Sequence, residues 1–165
     1  MHDELTVIDI QKMKDEIAER QKLMPGLLAE VSRTREYGDL SENAEYKCAK
    51  AELNANKRRI RFLENMIKTA VIISTDSRED VVGIFDVIEV YLPEDDEKET
   101  YRIVTTTRNN VFTNNISKES PFGKAVLGHR VGDEVTVVVN EKYSYPVKIL
   151  SIKKGEDDPD LPITK

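Results

Sequence analysis

Tyr37-Gly38-Asp39-Leu40-Ser41 separates two stretches that repeat with one period, and this break decides the fold. Upstream, Ile10, Met13, Ile17, Arg20, Met24, Leu27, Val31 and Thr34 are spaced alternately by three and four. Downstream, Tyr46, Ala49, Leu53, Asn56, Ile60, Leu63, Ile67 and Ala70 repeat the alternation. Such spacing keeps a single stripe of a helix facing a partner, the heptad seam of a coiled coil. Each seam covers about 37 Å of helix at 1.5 Å per residue. Two helices of equal length across a short break pack antiparallel. Gly38 is a natural left-handed stop for the first helix, and Asp39 or Ser41 is placed to cap the second. Arg20 and Asn56 are the charged and amide members of the seams. Arg20 can carry its head to water along an aliphatic stem, and Asn56 fixes register at some cost in stability. Pro25 falls inside the first helix, where it removes a hydrogen bond and bends the rod, one place off the seam.

From Val71 the period changes to that of strands. Val82 to Val90, Tyr101 to Val104, Val135 to Val139 and Tyr145 to Ile149 are rich in β-branched residues and partly alternating. Pro93 to Lys98 and Asn140 to Lys142 read as turns. Ser120 to Gly128 reads as one short helix, with Ser as cap, Pro at its first position and Gly after its end. The expected fold is α+β: an antiparallel coiled-coil hairpin over residues 1–74, then a small antiparallel β domain with one short helix over 75–153. The segment 154–165, with Glu156, Asp157, Asp158, Asp160 and two prolines, reads as a disordered acidic tail.

Composition narrows the function classes. The net charge is −6, which argues against nucleic-acid binding driven by bulk electrostatics. Residues 1–75 are balanced at 13 basic and 13 acidic side chains, so the excess lies in the second half. The longest apolar run is Ala70 to Ile73, too short to span a bilayer. The N-terminus lacks the apolar region of an export signal. A lone cysteine, Cys48, suits a reducing compartment, and with two distant histidines it excludes the usual zinc site. A cytoplasmic protein is expected. Cys48 reads as a small apolar side chain near the seam, and His129 as a loop residue.

Chemistry concentrates at the hairpin tip, Arg35 to Tyr46, which holds Glu36, Asp39, Glu42 and Glu45. Asp39 and Glu42 lie three apart across the turn and could point together. Two carboxylates help hold a hard cation such as Mg²⁺ but leave its shell incomplete. The same Asp39-Leu40-Ser41-Glu42 is also a capping-box pattern, and on pattern alone capping is favoured. Lys57, Arg58, Arg59 and Arg61, with Arg35 and Lys50 nearer the tip, form a basic stripe. It suits phosphate contacts, although on pattern alone a solvated helix face is the favoured reading.

The tip segment Arg35 to Tyr46 closely resembles the signature of the bacterial Gre transcript-cleavage factors, GreA type. Arg59-Ile60, Leu63-Glu64, Tyr101 to Val104, Ile116-Ser117, Ser120-Pro121, Leu127-Gly128 and Gly132-Asp133 continue the likeness in order, from about Leu5 to Ile152. The resemblance implies a coiled-coil hairpin, a C-terminal domain of FKBP-like fold, and a monomer that binds bacterial RNA polymerase with the rod in its secondary channel. It implies stimulation of the polymerase's own cleavage of the nascent RNA 3′ end in backtracked complexes, not a stand-alone enzyme. Asp39 and Glu42 would be the catalytic pair, sharing a second Mg²⁺ with the polymerase. Arg35 and Lys50 would contact the RNA, and Glu119, Ser120 and Pro121 would dock on the polymerase. Three features depart from the family pattern: Asp9 in place of a glycine, the segment Thr105-Thr106-Thr107-Arg108-Asn109-Asn110, and the acidic tail. Two other readings stand beside this one. The first is a regulator that binds the channel without stimulating cleavage. The second is a prolyl isomerase, which needs an aromatic-lined pocket that few Phe and Tyr argue against.

Overall fold

The computed structural model describes residues 2–38 and 43–164. The chain divides into two units, one built from Ile10–Ala70 and the other from Met1–Asp9 with Val71–Lys165.

The helical unit contains most of α1 (Val7–Arg35) and all of α2 (Ala44–Thr69). None of the sixteen seam residues is exposed. Thr34, Asn56, Met13 and Leu63 are among the buried ones. The helices run antiparallel, since Glu16 meets Arg59, Arg20 meets Asn56, and Thr34 meets Asn43. Pro25 sits inside α1 as the sequence requires. Met66 is buried although it lies off the seam. Cys48 is exposed rather than tucked beside the seam, because its position falls one place short of Ala49 and on the outer face of α2. Arg59 leaves the basic stripe: it is turned onto Glu16, while Lys57, Arg58 and Arg61 stay exposed.

In the globular unit, β1 (Glu4–Leu5) and β2 (Val71–Ile72) pair in parallel. This pairing joins the segment entering α1 to the segment leaving α2. The main sheet consists of β3 (Val87–Leu92), β4 (Glu97–Val104), β5 (Asn115–Ser117), β6 (Glu134–Asn140) and β7 (Tyr143–Lys153). Their spatial order is β5-β4-β3-β7-β6. The sheet is mixed rather than wholly antiparallel, because β5 lies parallel to β4 after two 3-10 turns carry the chain back. Alternate residues of the strands turn inward: Ile88 and Val90, Val135 and Val137, Val147 and Ile149. Helix α3 (Pro121–Val126) adds Phe122 and Val126 to this core. At about 25 cal/mol per Å² of apolar surface, each such buried side chain contributes roughly 1.5–3 kcal/mol.

Two further expectations are corrected here. The strand expected from Val82 begins only at Val87. Val82 to Asp86 form a turn in which Phe85 adopts a left-handed φ of 67°. The Asp86 carboxylate accepts from Gly83 N at 2.7 Å, which holds that turn closed. The second correction concerns the acidic tail, which is not disordered. Asp157 pairs with Arg108 at 2.6 Å, and the Asp158 carbonyl accepts from Arg108 Nη1 at 2.8 Å. Thr164 N donates to the Thr107 carbonyl at 2.7 Å. Reading the tail as disordered counts its charges as unpartnered, but the fold supplies a buried cation for them.

Candidate functional site at the hairpin tip and the docking segment

The last turn of α1 leaves carbonyls without helical donors, and the first turn of α2 leaves amides without acceptors. One side chain serves both. Asn43 Nδ2 donates to the Thr34 carbonyl at 2.7 Å, and Asn43 Oδ1 accepts from Tyr46 N at 3.0 Å. Asn43 is therefore the N-cap of α2, in place of the expected Asp39 or Ser41. Thr34 is buried, and its hydroxyl donates back to the Glu30 and Val31 carbonyls. Gly38 has φ +97°, the left-handed stop expected after α1.

Asp39, Leu40, Ser41 and Glu42 lie outside the described residues, so the proposed catalytic and metal pair, Asp39 and Glu42, lies there too. Their flanks are exposed and charged. Arg33 chelates Glu30, with Nη2 at 2.5 Å and Nε at 3.0 Å, and approaches Glu45 at 3.6 Å. The Arg33 guanidinium holds the Glu30 carboxyl below its usual range, mainly through this hydrogen bond. Arg35 and Lys50 are both exposed. Lys50 Nζ lies 5.8 Å from the Tyr46 ring centre, on the α2 turn that Asn43 caps. Among the described residues, no three His, Cys, Asp or Glu side chains converge to hold a metal.

Further down the rod, Glu16 receives Arg59 Nε at 2.8 Å and Nη2 at 3.0 Å, and Arg20 Nε at 2.7 Å. Arg59 is the main cause of a Glu16 pKa below 4.5, with Arg20 adding to it and burial opposing it.

The second site lies in the globular unit. Glu119 is exposed between Lys118 and Lys124, 3.5 Å from each. Ser120 caps α3: its hydroxyl accepts from Gly123 N at 3.0 Å and donates to the Ser117 carbonyl at 2.7 Å. Pro121 opens α3 and is exposed, while Phe122 turns inward. A Cβ on Gly123 would lie 2.3 Å from the Ser117 carbonyl oxygen, so glycine is what lets α3 approach so closely. Beside Phe122 opens a cavity of about 270 Å³ lined by Leu92, Tyr101, Tyr143 and Tyr145, with Glu94 and Asp95 at its edge. Tyr101 and Phe122 are tilted at 4.8 Å between centres. Burial raises the Tyr101 and Tyr145 phenols above 10, so they are neutral at neutral pH. An aromatic-lined pocket thus exists despite the low aromatic content. Strands β4 and β7 and helix α3 gather these rings into one place.

Sequence reading missed a third cluster. Asp9, Thr107 and Arg108 are all buried and joined. Asp9 Oδ1 receives Arg108 Nε at 2.8 Å and Thr107 Oγ1 at 3.0 Å. The readable signal was Thr6-Val7-Ile8-Asp9, a capping box at the head of α1. Thr6 N donates to Asp9 Oδ2 and Asp9 N donates to Thr6 Oγ1.

Both halves of the chain match family models. Residues 4–72 match the model described as transcription elongation factor, N-terminal, and residues 76–154 match transcription elongation factor, GreA/GreB, C-term. The chain belongs to the GreA/GreB family. The transcription elongation factor GreA of Geobacillus kaustophilus (strain HTA426) is 42% identical over 138 residues, 83% of this chain and 80% of that protein. The GreA of Streptococcus suis (strain 05ZYH33) is 36% identical over 152 residues, 91% of this chain and 94% of that protein. The solved structure of the transcription factor Gfh1 is 27% identical, covers 92% of this chain and 97% of its own, and has a TM-score of 0.46. The tip segment falls within the N-terminal GreA/GreB match and Glu119 to Pro121 within the C-terminal one, whereas the tail after Lys154 lies beyond both. No helix of the described residues is long and apolar enough to cross a membrane.

Proposed function

We propose that this chain is a cytoplasmic transcript-cleavage factor. It binds bacterial RNA polymerase through the secondary channel and stimulates the polymerase's hydrolysis of the 3′ end of nascent RNA in backtracked complexes. The observation that supports this most directly is a family-matched N-terminal half folded as an antiparallel hairpin. Among the described residues Asn43 braces the two helix ends at the turn, and exposed charge flanks it.

Each part of the chain then has a task. Asp39 and Glu42, in the segment between α1 and α2, would hold a second Mg²⁺ jointly with the polymerase and would orient the attacking water. That ion would supply charge stabilisation at the phosphoryl oxygens. The chain alone is inert, because two carboxylates do not complete a metal shell and it carries no substrate path. Arg35 and Lys50 meet the RNA backbone near its 3′ end. Glu119 and Pro121 face outward to dock on the polymerase, while Ser120 keeps that segment in shape by capping α3. The cavity beside Phe122 accepts an apolar side chain of the docked surface, and the acids at its edge favour a basic neighbour. The same pocket, in this reading, serves docking rather than prolyl isomerisation.

The test is end-labelled RNA in a backtracked complex of the cognate polymerase, with the wild-type chain, Asp39→Asn and Glu42→Gln. The wild type should release a 3′ fragment, and both variants should bind yet fail to cleave. If capping were the pair's whole role, the variants would lose about 1 kcal/mol of helix stability and keep cleaving. Full cleavage by a folded variant removes the catalytic assignment. Binding without cleavage by the wild type moves the protein to the binding-only alternative.

A further inference from the structure

We infer that residues 155–164 form a strap whose seating on Arg108 controls local opening of the first turn of α1. The inference rests on the globular unit alone and is independent of the polymerase reading.

Three segments far apart in sequence meet at Arg108, whose side chain is fully buried. From the head of α1, Asp9 Oδ1 accepts Arg108 Nε. From the tail, the Asp157 carboxylate lies 2.6 Å from Nη1, and the Asp158 carbonyl accepts from the same nitrogen. The Phe85 ring lies 5.3 Å from the guanidinium carbon. Among the described residues Nη2 and Asp157 Oδ1 both lack a hydrogen-bond partner, so Asp157 meets Arg108 as an ion pair without an aligned hydrogen bond. A buried guanidinium already short of one acceptor is sensitive to losing another, because an unpaired buried charge is costly.

Thr6 carries the coupling to the helix. Its hydroxyl accepts from Asp9 N at 3.1 Å, closing the capping box. It has one proton to give and two carboxylates in reach, Asp157 Oδ2 at 2.5 Å and Asp9 Oδ2 at 3.2 Å. The hydroxyl that closes the cap thus also contacts the tail carboxylate. Removing Asp157 therefore disturbs the cap and the ion pair at once.

The strap is fixed at both ends. At its start Gly155 N donates to Asp86 Oδ1 at 3.0 Å, and Lys154 Nζ reaches Asp86 Oδ2 at 2.5 Å. A Cβ on Gly155 would lie 2.1 Å from the Phe85 carbonyl oxygen, so a larger residue cannot seat there without movement. At its far end Thr164 Oγ1 donates to the Asn109 carbonyl at 2.8 Å, on the same turn that carries Arg108. Between these points the strap is held by the polar contacts of Asp157 and Asp158, with only Leu161 and Ile163 half-buried among its apolar side chains, the kind of segment that opens at lower free energy than the apolar core. A partner that engages the acidic tail would thereby loosen the head of α1 without contacting it.

Hydrogen exchange read by mass spectrometry on the full chain tests this, with wild type, Asp157→Asn and Gly155→Ala. Asp157→Asn removes the charge with little change in shape. Gly155→Ala unseats the strap without altering a charge. Both should speed exchange in the peptide covering Thr6 and Asp9 by about tenfold or more, the loss of one charged hydrogen bond, while β3 and β7 keep their wild-type rates. Unchanged exchange at Thr6 and Asp9, with the tail itself opened, would overturn the coupling. So would an equal acceleration across the whole globular unit, which would make the tail a contributor to global stability only.

Discussion

Arg20 and Asn56, the charged and amide members of the two heptad seams, are paired with each other. Arg20 Nη1 donates to Asn56 Oδ1 at 3.2 Å, and Asn56 Nδ2 donates to the Arg20 carbonyl at 3.0 Å. An apolar seam tolerates slippage by a heptad, whereas a reciprocal polar pair is satisfied in one register only. Four residues along α1, Glu16 takes both Arg59 and Arg20, so the polar bolt extends over a full helical turn. A register set here also sets which residues stand at the turn, some 20 Å away by the rise of about 1.5 Å per residue.

Glu16→Gln should therefore destabilise the hairpin, by about 1–2 kcal/mol for a partly exposed charged hydrogen-bond pair. The effect should depend on pH in a definite direction. Arg59 lowers the Glu16 pKa in the fold below 4.5. A depressed carboxyl pKa stabilises above the unfolded value and loses that contribution as pH falls through the folded one. Urea unfolding followed by helical circular dichroism should separate the variant from wild type at pH 7. The two curves should converge as the pH drops below 4.5. A gap that persists at the lowest pH would assign the loss to packing instead.

Asn43 offers a cleaner dissection of the turn. Asn43→Ala removes both the cap and the bridge to Thr34, at a cost of about 1–2 kcal/mol. Asn43→Asp keeps an acceptor for Tyr46 N but loses the donor to the Thr34 carbonyl. The aspartate should restore helix stability measured by thermal melting, yet leave transcript cleavage below wild type because the turn is no longer tied to α1. Equal recovery of stability and cleavage would make the bridge irrelevant.

The seams were legible because heptad spacing is a local signal, and all sixteen positions are shielded in the structure. The α3 cap was legible for the same reason: Ser120, Pro121 and Gly128 stand within one turn of the helix they bound. The N-cap of α2 was not, since Asp39, Ser41 and Asn43 are all good caps. Among the described residues it is Asn43 that caps, and its amide also reaches the Thr34 carbonyl. Arg108 and Asp157 were illegible in another way. Their partners lie about 50 to 150 residues away, and no periodicity encodes a contact at that separation. Phe85 belongs with them, because an apolar residue in an apolar run gives no sign of a left-handed backbone.

The aromatic cavity makes docking testable apart from catalysis. Tyr145→Ala empties one wall of the pocket while leaving the tip untouched. Polymerase affinity should fall by about tenfold or more, as expected for truncating an aromatic anchor. Cleavage at saturating factor should stay near wild type, so the defect appears in the concentration needed and not in the plateau. Competition against labelled wild type would measure the first quantity and a single-turnover cleavage series the second. A lowered plateau with unchanged affinity would remove the pocket from docking.

Arg35 and Lys50 remain, and salt is the probe that distinguishes their two readings. Both are exposed, on either side of the braced turn, and neither pairs with an acid among the described residues. Exposed cations on a solvated face change nothing when removed, whereas cations on RNA phosphates release counterions on binding. Each single-strand phosphate contact contributes about 0.7 to the slope of log affinity against log salt. Replacing both residues by Ala should therefore weaken rescue of complexes with longer extruded RNA and flatten that slope by about 1.4. Lys57→Ala with Arg61→Ala, on the exposed face further along α2, is the matched control for lost charge at a distance from the tip. It should leave the slope near wild type. If the tip pair and the control shift the slope alike, the basic stripe acts as a diffuse field and Arg35 and Lys50 have no assigned phosphate. If neither shifts it, both return to the solvated surface of the rod.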